Sequence, residues 1–338
     1  MSSRLLVYLI PVAVIAIFWL LALWERARGT ADPSRRSFVQ RNGILLSLFF
    51  IVAVAFWTLF LVVLPYMYMV QESFHPNLWP KDRGGPTDVL TLEHYKFFVY
   101  GLQTGTESSY NVTHLTAFWK TILISLLVTI ANFVLCYPLA FYLAQVAGPQ
   151  RLRLLLIALI VPFWVNEILR AFAFRVLLSS NGLINTALVG LGVTSEGFDF
   201  LRADIGLYLG LSYAYLLIMV FPLYNAIEAL DKNQIEAARD LGAPWWRIHK
   251  DVVMPFAKPG IASGCTLVFM LAAGSLAAPQ FLGGPNTLWF TSIVYDFFFQ
   301  AFNWSRGSAY AFILLLACIA FVLLVMRVFK VSLAEIAR

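Results

Sequence analysis

Seven stretches of this chain are apolar for the length of a bilayer crossing, and nothing else in it constrains the fold as strongly. They are Leu5–Trp24, Gly43–Val70, Phe118–Val146, Leu154–Leu178, Asp204–Glu228, Pro259–Leu282 and Ser308–Phe329. About twenty apolar residues in a helix cross the hydrocarbon core, and only a helix or a closed barrel satisfies its own backbone polar groups there. The composition agrees: 60% of the 338 residues are hydrophobic and 12% are charged, roughly half the charge share of a soluble domain. The expected fold class is an all-α polytopic membrane protein. The first run follows Arg4 and competes with a cleaved signal peptide, but its length and the lack of a clean small-x-small cleavage site favour a retained helix.

Basic residues set the sidedness of such a chain. Arg26, Arg28, Arg35, Arg36 and Arg41 crowd the linker after the first run, and Arg151 and Arg153 occupy the turn after the third. Lys232, Arg239, Arg247, Lys250 and Lys258 follow the fifth, and Arg327, Lys330 and Arg338 mark the tail. These segments are expected in the cytoplasm of a bacterial inner-membrane protein, with the N-terminus outside and the C-terminus inside. Residues 73–116, 179–202 and 283–306 then face the periplasm. Within them Leu183–Leu191 is apolar but too short to cross, and Tyr295–Phe299 reads as a re-entrant-like aromatic run. The net charge of +6 is topogenic and gives no reason to expect nucleic acid as a partner.

Reactive chemistry is sparse. Cys136, Cys265 and Cys318 stand apart in separate spans and read as packing residues, with no metal set implied. His75, His94, His114 and His249 fall in predicted loops, without an HExxH or GxSxG motif, so no catalytic set is expected. No Gly-x-x-x-x-Gly-Lys-Ser/Thr phosphate loop occurs either, so this chain does not bind ATP in that manner.

The most informative segment is Asp231–Ile261, a well-charged loop between the fifth and sixth runs. Asp231 and Gln234 have capping-box spacing, and Ile235, Ala238 and Leu241 share one helical face. Gly242 suits the left-handed position that ends a helix, and Pro244 the first turn of the next. Glu236-Ala237-Ala238 makes a small, smooth face with one carboxylate, shaped to slide into another protein's groove.

Glu236, Ala237, Ala238, Gly242, Val252, Met254 and Pro255 together resemble the EAA loop of ABC-importer permeases. Pro162-Phe163-Trp164, Arg170–Phe174, Asn181–Asn185, Phe281–Gly284, Asp296 and Asn303-Trp304, with Tyr137–Ala140, are similar to the first permease subunits of spermidine/putrescine importers. The resemblance covers about Phe118 to the C-terminus. It implies the type I ABC-importer transmembrane fold, with six core helices plus one extra at the N-terminus. The chain then divides into 1–42 (extra helix and basic linker), 43–117 (first core helix and periplasmic loop) and 118–338 (permease core with coupling loop 231–261).

The resemblance also implies partners: two copies of an ATPase subunit that hold the ATP and Mg, a second permease subunit and a periplasmic solute-binding protein. The chain itself needs no cofactor and is not an enzyme. Glu236, Ala237, Ala238, Gly242 and Pro255 would couple it to the ATPase, Glu236 against a basic residue there. The implied solute is polyamine-like, with an opine, an amino-acid-like solute or an organic anion as alternatives. A self-sufficient secondary transporter would show inverted repeats, and none is evident.

For a cationic solute, carboxylates at membrane depth are the candidates. Glu167 lies beside Phe163 and Trp164, whose ring faces suit an ammonium group; pairing with Arg170, one turn away, stays open. Asp296, between Tyr295 and Phe297, is either a second path residue or a cap or binding-protein contact. Asp204 and Glu228, at span ends, read as interfacial.

Overall fold

The computed structural model describes residues 44–79, 81–101, 110–194, 197–284 and 287–332. The first apolar run, its arginine-rich linker and Arg338 lie outside the described residues. Among the described residues the chain is helical, with no strand, and it divides into two compact units.

The smaller unit comprises the chain up to His94 with Trp304–Ala309. Helix α1 (Ile44–Thr58) passes through a π turn at Leu59–Val63 into α2 (Leu64–Ser73). Pro65 falls in the first turn of α2. A missing N–H costs little there, and the π turn widens the helix just before it. Phe49, Phe56, Trp57, Phe60 and Leu61 are all exposed, an apolar surface suited to lipid. Beyond α2, Arg83 pairs with Glu72 at 3.3 Å. The buried His94 donates from Nε2 to the His75 carbonyl at 3.0 Å. Burial pushes the His94 imidazole below its ordinary value, and nearby Arg306 adds to this.

The larger unit comprises Tyr95–Asn303 and the chain from Tyr310 on. Its elements are α3 (Glu93–Tyr100) from Tyr95 on, α4 (Val112–Phe141), α5 (Pro149–Phe163), α6 (Glu167–Leu178), α7 (Leu183–Gly190) and α8 (Ile205–Glu228). There follow α9 (Lys232–Asp240), α10 (Trp245–Ile248), α11 (Met254–Phe256), α12 (Lys258–Gly274), α13 (Ala277–Leu282), α14 (Phe290–Phe299) and α15 (Trp304–Phe329) from Tyr310 on. Helix α7 is short, as expected from the sequence, but α6 and α7 taken together, Glu167–Gly190, are long and apolar enough to cross a membrane, so α7 does not stand apart from the spans as expected. The aromatic run Tyr295–Phe299 forms the second half of α14, which is too short to span.

Helices α4, α8 and α12 pack on one another as the centre of this unit. Their contact mixes small and polar residues with apolar ones. On α4 the buried face holds Thr121, Ser125, Thr129, Asn132 and Cys136 beside Ile124 and Val128, whereas Trp119, Leu123, Leu127, Ile130 and Val134 are exposed; α8 buries Leu207, Leu211, Met219, Val220 and Leu223. Lipid solvates the outward apolar side chains of α4, which leaves its small and hydrogen-bonding ones to serve the helix contact. Asn132 Nδ2 donates to the Ser212 carbonyl of α8 at 3.1 Å, and Cys136 Sγ reaches the Leu216 carbonyl at 3.6 Å. Gly260 of α12 allows the closest approach: a Cβ there would lie 2.4 Å from both the Pro222 carbonyl oxygen and the Ala226 Cβ of α8.

Asp204 fastens the end of the bundle remote from the loop. Its carboxylate accepts from Lys120 Nζ at 2.7 Å, from the Thr287 hydroxyl and from the Gly284 amide at 3.4 Å. Burial opposes its charge, but the Lys120 and Thr287 hydrogen bonds outweigh that and hold the carboxyl below its usual range. Asp204 is half-buried just before α8, and Glu228 is exposed at its end.

Two runs read as continuous spans are broken. The fourth run divides at Trp164–Asn166 into α5 and α6, and the sixth at Ser275–Leu276 into α12 and α13. Helix α5 rises about 22 Å and α12 about 26 Å before its break, from the same side of the bundle. Helix α6 then packs on α13 and α8, and Arg175 Nη1 donates to the Phe281 carbonyl of α13 at 3.2 Å.

Candidate coupling loop and translocation site

The loop after α8 is built by local chemistry. Asp231 caps α9, its side chain accepting from the Asn233 amide at 3.0 Å. The Gln234 amide goes to the Asp231 carbonyl, so the capping relation expected of Asp231 and Gln234 is made through neighbouring groups. Helix α9 ends in a paired-bond turn: the Gly242 amide donates to the Arg239 carbonyl at 2.8 Å and the Ala243 amide to the Ala238 carbonyl at 3.0 Å. This pair is the Schellman arrangement, and it requires a left-handed residue; Gly242 has φ +75°. Pro244 stands one place earlier than expected, capping α10 instead of opening its first turn.

The turn decides which side chains face out. Ile235, Ile248 and Val253 enter the core and Ala238 packs against it, while Glu236, Ala237 and Pro255 are exposed. Leu241 does not share the inward face expected of it. Helix α9 stops at Asp240, and the turn leaves Leu241 at 88% exposure. Trp245 (71%) and Trp246 (55%) are exposed as well. Three large apolar residues beside Glu236, in a loop rich in Lys and Arg, form a surface that a water-facing segment keeps only for a partner. Sequence periodicity missed them because it carried the helix one residue too far and had no means of aiming the tryptophans.

His249 anchors the loop from within. It is 6% exposed, shares a 2.8 Å hydrogen bond between Nδ1 and the Tyr137 hydroxyl, and lies with its ring centroid 4.4 Å from those of Phe141 and Trp245. Burial holds its imidazole below the ordinary value, so the ring is neutral.

The second candidate lies where the fourth run breaks. Asn166 caps α6, accepting from the Ile168 amide at 2.9 Å, and Glu167 is the first residue of that helix. The positive end of the helix dipole favours its charge. The carboxylate accepts from the Tyr215 hydroxyl of α8 at 3.1 Å. Arg170 does not pair with it, the alternative left open by their spacing. The Arg170 guanidinium instead lies over the Phe163 ring at 5.1 Å and the Tyr213 ring at 5.9 Å, and its Nε is buried without a hydrogen-bond partner. Glu167, Arg170, Phe163, Tyr213 and Tyr215 thus form one cluster from α5, α6 and α8. The sequence offered one signal for the tyrosines: a hydroxyl inside a span needs a partner.

Trp164 is 84% exposed in the break. Asp296 belongs elsewhere, exposed in the last turn of α14 and accepting from Gln300 Nε2 at 2.8 Å. Helix α14 packs on α4, so Asp296 belongs to a different helix group from Glu167. The N-cap of α14 is Trp289, so Asp296 does not cap the start of its own helix.

Residues 115–334 match the family model of binding-protein-dependent transport system inner membrane components. The spermidine/putrescine transport system permease protein PotB of Haemophilus influenzae is 32% identical over 260 residues, covering 76% of this chain and 85% of that protein. PotB of Escherichia coli K12 is 33% identical over 260 residues, covering 77% and 89%. Among solved structures, a bacterial ABC transporter involved in the import of the acidic polysaccharide alginate superposes with a TM-score of 0.65 at 16% identity, covering 86% of this chain and 96% of that one. The same type of transporter, in complex with an alginate pentasaccharide-bound periplasmic protein, gives 0.67 at 15% identity, covering 87% and 98%. That likeness is one of fold.

Proposed function

The chain belongs to the family of binding-protein-dependent transport system inner membrane components, and on that footing we propose that it forms half of an ATP-driven import path for a polyamine-like cation. Its partners would be a second permease subunit, two ATPase subunits carrying the ATP and Mg, and a periplasmic binding protein that delivers the solute. The loop would lie in the cytoplasm and the C-terminus with it. Glu236, Ala237, Ala238, Gly242 and Pro255, with Leu241, Trp245 and Trp246, would be seated in a groove of one ATPase. Closure of the ATPase pair would then push the loop as a rigid lever.

The observation that carries the cationic solute is the Glu167 cluster. Discontinuous spans are tolerated at membrane depth only where they are buried in protein or line a cavity, and this one offers a carboxylate with aromatic faces beside it. An ammonium group would take Glu167; the Arg170 guanidinium already lies on the Phe163 and Tyr213 rings, so Trp164, exposed in the same break, would be the aromatic face left for it. The family relatives named for spermidine and putrescine transport support the same class. Asp296 would act nearer the mouth of the path, where it is open to the binding protein.

A second reading rests on Arg170. Its guanidinium is free of Glu167, so the cluster also suits an amino-acid-like solute, ammonium on Glu167 and carboxylate on Arg170. Reconstitution of the four proteins in liposomes separates the two. ATP-dependent uptake of labelled putrescine or spermidine supports the first. Uptake of neither, with uptake of basic amino acids, supports the second. Accumulation by this polypeptide alone, without the ATPase, refutes both.

A further inference from the structure

We propose that Tyr137 and His249 form the swivel that passes movement of the loop into span α4, with Gln145 as its second fastening. This rests on the reading that the loop docks on an ATPase. Both ends of the loop are tied to one short stretch of α4 and its continuation. Where α8 ends, Gln145 Nε2 donates to the carbonyls of Ile227 at 2.8 Å and Leu230 at 3.2 Å. Where the loop turns back toward α12, His249 meets Tyr137 and Phe141.

The route is continuous. Trp245 is exposed on the docking surface, its ring contacts the His249 ring, and His249 is bonded to Tyr137. No other buried polar side chain of the loop makes a hydrogen bond into a span among the described residues.

The gripped stretch is also where α4 yields most easily. Tyr137 directly precedes Pro138, which lies inside the helix and removes one backbone hydrogen bond. The helix then passes into a π turn at Tyr142–Val146, a second local weak point. On the loop side His249 opens a π turn of its own, His249–Val253. A push on Trp245 therefore reaches α4 at the proline, through Tyr137, and just ahead of the π turn, through Phe141, and the buried Asn132–Ser212 contact lies a little over one turn further along. Neutral His249 fits this role, because a ring with no charge can turn within an aromatic cage without carrying a counter-ion.

The test uses the complete reconstituted transporter with Tyr137→Phe, His249→Phe and the double variant, measuring ATP hydrolysis and solute uptake in the same vesicles. His249→Phe keeps the ring stack and removes only the polar link. Expected is unchanged basal ATP hydrolysis with uptake per ATP lowered about five-fold, the factor carried by one lost hydrogen bond of about 1 kcal/mol. The double variant should be no worse than either single one, since both remove the same link. Hydrolysis and uptake falling in proportion, effects of the two substitutions that multiply, or no change in uptake per ATP would each overturn the swivel. Glu236→Lys in the same preparation keeps the two readings apart. If it leaves uptake intact the docking reading itself fails, whereas loss of uptake there with an unaltered Tyr137→Phe refutes the swivel alone.

Discussion

Glu167→Gln isolates charge from shape. The Tyr215 hydroxyl, 3.1 Å from the carboxylate, can donate equally to an amide oxygen, and Asn166 still caps the helix through the Ile168 amide. What is lost is the negative charge that an ammonium group would meet. A hydrogen bond to a charged partner contributes about 1.5–3 kcal/mol, and each 1.4 kcal/mol is about tenfold in affinity. Uptake of putrescine below saturation should therefore fall about ten- to hundredfold, with much smaller losses once solute saturates the complex. The assay is ATP-dependent uptake by reconstituted vesicles over a range of solute concentrations, with Tyr215→Phe beside it. The second variant keeps the charge and removes only its support, so its loss should be about fivefold. An unchanged concentration dependence for several polyamines in Glu167→Gln would remove this carboxylate from the path. Equal losses at all concentrations would show that it acts on the packing of α6 and α8 and not on the solute.

Other perturbations reach the remaining parts. Glu236→Lys, at an exposed position, should abolish ATP-dependent uptake while membrane insertion is retained; unimpaired uptake would contradict the docking role. Gly242→Val forces a β-branched residue to φ +75°, at about 1–2 kcal/mol for the left-handed conformation, so coupling should weaken without loss of the solute site, read as lower solute-stimulated ATP hydrolysis at unchanged solute affinity. Gly260→Val places side-chain carbon against Pro222 and Ala226 and should lower the melting temperature of the purified protein, in contrast to a neutral change at the open position Gly190. The His94 imidazole is held below its ordinary value by burial, so its neutral form supports the fold fully above the unfolded value of about 6.5, and that support is lost as pH falls below it. The hydrogen-exchange protection of residues 71–79 and 87–94, taken relative to the intrinsic rate at each pH, should fall between pH 7.5 and 5, and His94→Gln should flatten that dependence; identical protection at both values would refute it.

The loop was legible and the Glu167 cluster largely was not, for a physical reason. What gives the first half of the loop its form lies within about a dozen residues: the Asp231 cap, the left-handed Gly242 and Pro244. A sequence reader sees those terms, as does a partner protein that must recognise the loop by its local form. Leu241 was misjudged where the helix stops being periodic, at the Schellman turn. The broken spans were hidden differently. Hydropathy weighs the transfer of side chains, and Leu154–Leu178 or Pro259–Leu282 remains apolar straight through its break. What ends α5 and starts α6 is a hydrogen bond from the Ile168 amide to the Asn166 side chain, a matter of which backbone group finds a partner. Asn166 beside Glu167 was the one visible signal, a pair too polar for lipid. Tyr213 and Tyr215 complete the cluster from some fifty residues away, and only the packing of α8 on α6 brings them there. On the reading proposed for it, a solute site drawn from several helices would change one wall at a time while the loop stays fixed. The fold, shared with a structure at 16% identity, leaves the solute open, and the charge and aromatic character around Glu167 would then decide it.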